Sequence, residues 1–387
     1  MKFNYHQTTK IIFGAGRIAE LGTITSEYGK KVLLVTTPAA TPALQEQYNN
    51  VKSILTTAGL EIIHFEGVIA NPTVYTIAEG AKLAQANNVE VIIGLGGGSS
   101  MDAAKAISVE ATHGKSCWEY LFYKTPQPDY AQLLPIIAVS TTSGTGSQVT
   151  QVSVITHPET RDKSALYNNM LYPKVAIIDP ELMLSVPKYI TATTGFDVFC
   201  HAFESIINVN SQPMVDLWAW EAVEIVLKNL PALVQDLGNI YLREKLAYAD
   251  LLAGLSIANV GVTLPHGMGM AIGGMYPNVA HGEALAMVYP SFVKFTQACA
   301  VKAFARIARI LNPVLEKESD VVAAENCRQE IQQFLINIGL SKKLSDCGMP
   351  EAEIETLAKQ CMVLPDYLNN PRVIKEIEMI ELVKESF

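Results

Sequence analysis

The stretch that most constrains this chain is VIIGLGGGSSMDAAK, from Val91 to Lys105. Val91, Ile92 and Ile93 form a β-branched run that predicts a buried strand. Ser99 or Ser100 as a cap, Asp102 in the first turn, and Ala103, Ala104 and Ala106 predict a helix directly after it. Between strand and helix lie Gly94, Gly96, Gly97 and Gly98. With no Cβ in the way, backbone N–H groups at such a turn can approach an anion closely. The helix N-terminus adds its partial positive charge. The expectation is a diphosphate cradle. The strict dinucleotide fingerprint is not met, because the spacing from Gly96 and Gly98 ends on Met101. No Gly-Lys-Ser/Thr follows, so it is not a nucleotide-triphosphate loop of the Walker type either. Gly14-Ala15-Gly16-Arg17-Ile18-Ala19 does fit G-x-G-x-x-A, but no acidic residue stands at the required distance beyond it. A plain tight turn is the bland reading of Gly94–Ser99, and three consecutive glycines cost too much chain entropy for a turn alone.

The surrounding pattern alternates. Lys31–Thr36, Glu61–Phe65, Leu133–Ser140, Val152–Thr156 and Val175–Ile178 read as strands. Ala43–Ala58 and Val74–Asn87 carry helical period, the second preceded by the turn Asn71-Pro72-Thr73. Such alternation predicts a mostly parallel sheet covered by helices, with ligands outside the carboxyl ends of the strands. Asn71, Gly97 and Thr141 all follow strands. After Asp179-Pro180 the strand signals vanish and long helical periods run to the end. The expected organisation is an α/β dinucleotide-binding domain over 1–184 and an all-α domain over 185–387, with the boundary in Pro180–Tyr189.

Bulk properties narrow the function. The net charge of −9 over 387 residues, with no basic run, argues against a nucleic-acid partner. Six cysteines without C-x-x-C spacing read as reduced residues of a cytoplasmic protein. The N-terminal MKFNYHQTTK has no apolar core of a signal peptide. Between Asp250 and Glu283 no Asp, Glu, Lys or Arg occurs. That length would span a membrane, but Asn259, Pro265, His266 and several glycines interrupt it and no basic cluster flanks it. A buried helix pair leading into a functional turn is expected instead.

Asp197 and His201 stand four apart in Phe196–Ile207, which reads as a helix capped by Thr193 or Thr194. Residues at i and i+4 share a face, so Asp-x-x-x-His is half of a metal site, or equally an exposed polar face. His266, inside the uncharged segment, and His281, at its end, need polar partners in so apolar a setting. Together the four supply one carboxylate and three imidazoles, a donor set suited to Fe(II), Zn(II) or Mn(II). Four protein ligands close a tetrahedral zinc site, so a catalytic role requires expansion to five or six ligands, which favours Fe(II). Met268, Met270, Met275 and Ile257, near these residues in sequence, predict a small, mainly uncharged pocket.

Several of these stretches together resemble the iron-dependent (group III) alcohol dehydrogenase family. They are Gly96-Gly97-Gly98-Ser99 with Asp102, TTSGTGSQVT (141–150), Asp197 with His201, His266-Gly267-Met268-Gly269, His281-Gly282-Glu283-Ala284 and Asn370-Pro371-Arg372. The similarity runs through nearly the whole chain, in order. It implies a dehydroquinate synthase-like pairing of an α/β and a helical domain, with a metal site at the cleft. It also implies hydride transfer between NAD(P) and a small alcohol or aldehyde, in a cytoplasmic homodimer or larger homo-oligomer. Carried over by position, the metal ligands, catalytic through the ion, are Asp197, His201, His266 and His281. The cofactor contacts are Asn71, Gly96, Gly97, Gly98, Ser99, Asp102, Thr141, Thr142, Thr145 and Lys163, with Thr37 next to the adenosine ribose. Thr36, Thr37 and Pro38 include no acid to repel a 2′-phosphate, which tilts the expectation to NADP(H). Three departures stand out. Met270 replaces a second histidine found in many members, so protons pass through water. The spacing from His266 to His281 is one residue longer than in the family's pattern. Gln148 replaces the usual glutamate. Rival readings are a lyase of the dehydroquinate synthase type or a maleylacetate reductase. Both need cationic groups for acidic substrates where this chain offers methionine and glycine. A third is a non-catalytic sensor of nucleotide and metal, which the complete ligand set disfavours.

Overall fold

The computed structural model describes residues 2–123 and 133–387. In chain order the first elements are β1 (Lys10–Phe13), α1 (Leu21–Ser26), β2 (Lys31–Val35), α2 (Pro42–Thr57), β3 (Glu61–Phe65), α3 (Val74–Ala86), β4 (Val91–Gly96), α4 (Gly98–His113), β5 (Ile136–Ser140), β6 (Val152–His157), β7 (Asp162–Tyr167) and β8 (Val175–Ile178). Six strands form one sheet in the order β1-β8-β5-β4-β2-β3, parallel throughout. Every residue of β4 and β5 is buried. That is why these strands read as continuous apolar runs rather than alternating ones: helices cover both faces of a parallel sheet. One apolar cluster gathers Leu33, Ile92, Ala103 and Ile107 on one side of the sheet. Another gathers Leu34, Ile93, Val51 and Leu55 on the other.

Two expectations change here. Val152–Thr156 does not join the main sheet. It pairs antiparallel with β7 in a separate two-stranded ribbon. β7 itself escaped the sequence reading because DKSALY has two charged residues and a weak alternation. The Gly14–Ala19 pattern leads from β1 into a single 3-10 turn, Arg17–Glu20, and the Ile18 N–H there is taken by the Asp179 carboxylate at 3.0 Å. It offers no long helix N-terminus to an anion.

The remaining elements are α5 (Lys188–Ile207), α6 (Pro213–Leu233), α7 (Ile240–Val260), α8 (Leu264–Met275), α9 (His281–Thr296), α10 (Val301–Leu311), α11 (Asp320–Asn337), α12 (Ile354–Gln360) and α13 (Glu376–Ser386). The chain divides into two compact units. One is His6–Val186 with Leu237–Ala247, the α/β unit. The other is Met1–Tyr5, Pro187–Asp236 and Tyr248–Phe387, the helical unit, so no single cut in the chain separates them. α5 begins two turns earlier than its capping residues predicted. Thr193 and Thr194 lie inside the helix, and their hydroxyls donate back to the carbonyls of Tyr189 and Ile190 at 2.8–3.1 Å. Threonine accepts this alternative when the preceding turn is already helical. The uncharged segment runs from the second half of α7 through α8, helices bent by 101° relative to each other, and among the described residues no single helix is long and apolar enough to cross a membrane.

Candidate metal centre and dinucleotide cradle

In the α/β unit, β4 and β5 end side by side, with Gly96 opposite Ser140 and the Thr141 N–H donating to the Gly96 carbonyl at 2.9 Å. This brings the glycine run against the Thr141–Thr150 loop. Gly96 has φ 147°, a backbone region closed to ordinary side chains. A Cβ on Gly98 would lie 2.5 Å from Thr145 Cγ2, and one on Gly97 3.0 Å from Thr142 Oγ1. The glycines therefore admit two threonine side chains as well as any ligand. Gly97, not a serine, is the N-cap of α4, and no side chain caps that helix. Ser99 and Ser100 sit in its first turn, because Gly97 takes the extended cap conformation one residue earlier. The leading N–H groups of α4 are thus left without a side-chain acceptor, as an anion site requires.

Asp102 is buried. Its Oδ1 accepts the Ser147 hydroxyl at 2.6 Å and its Oδ2 accepts the Val154 N–H at 3.0 Å. Burial raises its pKa against the opposing pull of Lys105, Ser147 and Val154. Lys105, one turn on, is a residue the sequence reading missed. Its Nζ donates to the carbonyls of Ser147 (2.7 Å), Thr150 (2.9 Å) and Val152 (2.7 Å) and to Ser147 Oγ (2.8 Å). Burial pushes this ammonium down to about 8, against the Asp102 carboxylate. The pair pins the loop that carries Thr141, Thr142 and Thr145. The signal available in the sequence was the i, i+3 spacing of Asp102 and Lys105. Lys163 Nζ donates to Asn71 Oδ1 at 2.8 Å, and Asn71 holds φ 57°, a conformation asparagine tolerates. Beyond β2, Thr37 Oγ1 meets Tyr48 Oη at 3.1 Å and Thr36 Oγ1 meets His64 Nε2 at 2.9 Å. His64 Nδ1 lies 2.7 Å from Glu66, and Lys52 Nζ lies 3.8 Å from the same carboxylate. β3 and α2 thus bring charged groups to a corner where β2 alone has none.

In the helical unit, Asp197 and His201 lie on α5, His266 in the first turn of α8, and His281 at the first position of α9. Asp197 Oδ1 stands 3.8 Å from His201 Nε2, 3.5 Å from His266 Nε2 and 3.9 Å from His281 Nε2. Asp197, His201 and His266 are buried, and their ligating atoms lie within 4.8 Å of one another. The His201 and His266 rings stack at 4.5 Å. Burial works against a charged Asp197, but the imidazoles of His201, His281 and His266 outweigh it and hold the carboxylate well below its usual range. For His266, burial disfavours the imidazolium, but Glu204 and Asp197 outweigh it and push the ring up to about 10.

Asp197 Oδ1 and His266 Nε2 are buried and have no hydrogen-bond partner among the described residues. Orphaned buried polar atoms facing one another are costly unless something joins them. An ion about 2.1 Å from each donor holds tetrahedral donor pairs about 3.4 Å apart. The observed spacings fit that group after slight relaxation, and the donor set fits a divalent first-row metal.

Two neighbouring groups, Glu204 and Asp366, were not foreseen, and a third, Glu283, stood in the sequence only as part of the motif after His281. Glu204 is fully buried beneath His266, with Oε1 2.7 Å from Nδ1. Asp366, on the turn Pro365–Asn369, approaches from another part of the chain. Its Oδ2 would lie 3.6 Å from a Cβ on Gly267, and burial, opposed by His266 and reinforced by Glu204, raises its carboxyl to about 7. Glu283 accepts the Tyr189 hydroxyl at 2.8 Å and Lys342 Nζ at 2.6 Å, which fixes the first turn of α9. Beside His281, a Cβ on Gly282 would lie 1.9 Å from the Thr193 carbonyl oxygen, so α9 meets α5 main chain to main chain. Asn370 and Arg372 serve as clamps. Asn370 Nδ2 donates to Thr296 Oγ1 and the Arg372 carbonyl, and Arg372 reaches the Phe295 carbonyl and Glu378.

Residues 8–180 match the sequence profile of "Iron-containing alcohol dehydrogenase", and residues 191–387 that of "Fe-containing alcohol dehydrogenase family, C-terminal". A 1,3-propanediol dehydrogenase of Klebsiella pneumoniae is 31% identical over 389 residues, covering 100% of this chain and 99% of that one. An NAD-dependent methanol dehydrogenase of Bacillus methanolicus is 30% identical over 378 residues, covering 97% of each. A crystal structure of a 1,3-propanediol oxidoreductase superposes with a TM-score of 0.92 at 31% identity, over 100% of both chains. With a glycine cradle on a parallel sheet, a carboxylate ringed by three imidazoles and both halves matched in order, the chain belongs to the iron-containing alcohol dehydrogenase family and is an alcohol oxidoreductase.

Proposed function

We propose that this enzyme interconverts small, uncharged alcohols and aldehydes, working mainly as an aldehyde reductase, with Asp197, His201, His266 and His281 holding Fe(II). The observation that carries the metal assignment is Asp197 Oδ1, buried, unbonded among the described residues and 3.5–3.9 Å from three imidazole nitrogens. A divalent ion held by Asp197, His201, His266 and His281 would supply polarisation of the substrate oxygen, and a nicotinamide held at the glycine cradle would supply or take up the hydride. The chain's own groups do the rest. Asp197 supplies the negative charge, and His201 and His266 stack at fixed spacing. The uncapped start of α4, with Gly96, Gly97, Gly98 and Ser99, receives the diphosphate. Thr141, Thr142, Thr145, Asn71 and Lys163 bound that site, and Asp102 acts through Ser147 and Val154.

Met270 is buried one turn from His266 on α8, where it presents a thioether and no imidazole. In our reading the proton leaves through water. Met268 and Met275 are buried as well, which supports an adaptable apolar wall. Asp366 adds an acidic group beside His266, which disfavours the dicarboxylates a maleylacetate reductase takes. At the adenosine end we favour NADP(H) over NAD(H) with both accepted. No acid follows β2, and Lys52 offsets the charge of Glu66. Six unpaired cysteines support a reducing, cytoplasmic setting, and we take the working form to be a homodimer or larger homo-oligomer.

The test is a panel of short aldehydes, diols and dicarboxylates with both cofactors, on protein stripped of metal and reconstituted with Fe(II) or Zn(II). Turnover of several short aldehydes that depends on added Fe(II) is expected. Metal-independent turnover, or a strong preference for dicarboxylates, overturns the reading.

A further inference from the structure

The geometry points to Glu204 as the residue that positions His266 for metal binding, an inference that rests on the metal-centre reading above. Glu204 lies three residues past His201 and seven past Asp197, so the three share one face of α5. It is 0% exposed. Its Oε1 lies 2.7 Å from His266 Nδ1. Its Oε2 accepts the Thr263 N–H at 2.9 Å and the Thr263 hydroxyl at 3.2 Å. Thr263 is the N-cap residue of α8, and its own side chain caps nothing. One carboxylate therefore does two things: it closes the start of α8, and it accepts a hydrogen bond from Nδ1–H of the histidine in that helix's first turn.

The second bond decides which nitrogen is available. A histidine that donates Nδ1–H presents Nε2 as a lone pair. Nε2 is the atom that faces Asp197 Oδ1 at 3.5 Å and lacks a partner among the described residues. A carboxylate in this place also orients the ring and makes it a stronger donor, and removing such partners weakens metal binding by roughly 10- to 100-fold. A tether for α8 alone would need only the two bonds to Thr263. The bond to Nδ1 is what links the tether to the metal.

The test compares full-length wild type with Glu204→Gln, Glu204→Asp and Thr263→Val, each metal-stripped and titrated with Co(II) against a chelator. The visible Co(II) spectrum reads the ligand field, and circular dichroism reads the fold. Gln removes the charge and sets an amide donor against either the ring or the Thr263 N–H. Asp keeps the charge but withdraws the oxygen by one methylene. Thr263→Val removes one tether bond and leaves Nδ1 bonded. The expected result is a Co(II) Kd raised by on the order of 10- to 100-fold in both Glu204 variants, with an altered spectrum, and little change in Thr263→Val. Wild-type Kd and spectrum in both Glu204 variants overturn this inference alone. A loss in Thr263→Val as large as in Glu204→Gln assigns the effect to helix tethering and overturns it too. Failure of wild type to bind Co(II) overturns the metal-centre reading itself.

Discussion

Lys105 and Asp197 are both buried ionisable side chains on helices, one in each unit, and the fold treats them in opposite ways. The Lys105 ammonium has four oxygen acceptors at 2.7–2.9 Å, and its neighbour Asp102 has a donor on each oxygen. Asp197 has an oxygen that no donor among the described residues meets, although three imidazoles stand around it. Buried charge that is fully hydrogen-bonded is architecture. Buried charge ringed by imidazoles and left short of a hydrogen-bond partner is a binding site. The residue types are equally polar in both places, so only the count of satisfied atoms separates the two roles.

The largest test of this contrast is His281→Ala. It is expected to lower kcat by on the order of 1,000-fold or more, since several kcal/mol of charge stabilisation are lost, with dinucleotide affinity within about twofold of wild type. Near-normal turnover in metal-depleted buffer would remove the contrast altogether. Next comes Lys105→Met, which leaves Asp102 buried without its cation. Losing one partner of a buried pair costs roughly 3–5 kcal/mol, so thermal melting should drop clearly while Co(II) affinity stays near wild type. The same variant should bind dinucleotide at least about tenfold more weakly, because the threonine loop is unpinned.

A pH titration sharpens the other half of the comparison. With His266 pushed up to about 10, the metal-free ring holds a proton at neutral pH, and an ion must displace it. Protonation competes below that pKa, so apparent metal affinity should climb about tenfold per pH unit, or about 100-fold from pH 7 to 9, and level off near 10. A flat profile would mean that no proton leaves His266 when the ion binds. The smallest effect is expected at Thr37→Asp. A carboxylate at the end of β2 should raise the NADPH KM about tenfold, the size of a repulsion of a kcal/mol or two. A wild-type preference for NADH in kcat/KM, or no response in the variant, removes the assignment of that corner.

Much of this was legible in the sequence, for reasons that are local. The β4–α4 unit announces itself through Val91–Ile93, the glycines and the alanines that follow. Asp197 and His201 share a face by spacing alone. Cap positions misled, since Thr193 and Thr194 have suitable hydroxyls but spend them on carbonyls one turn back. Glu204 was within reach of the same reasoning that paired Asp197 with His201, because it continues their face by one more turn. Asp366 was not. Its place beside Gly267 depends on a turn about a hundred residues further along the chain, and no periodicity connects the two. Lys52 and Glu66 likewise meet only because β2 and β3 are neighbours in the sheet.

The contact between Gly282 and Thr193 marks a position that cannot be redesigned. The gap between α9 and α5 is set where a single hydrogen faces a carbonyl, 1.9 Å from where a Cβ would sit. His281 is the adjacent residue, so this backbone contact sets where its side chain starts toward Asp197, while its ring lies against Gly269 of α8, where a Cβ would come within 3.1 Å of it. A library built on this chain should therefore return glycine alone at position 282, because any Cβ there would push α9 off α5 and carry His281 away from Asp197.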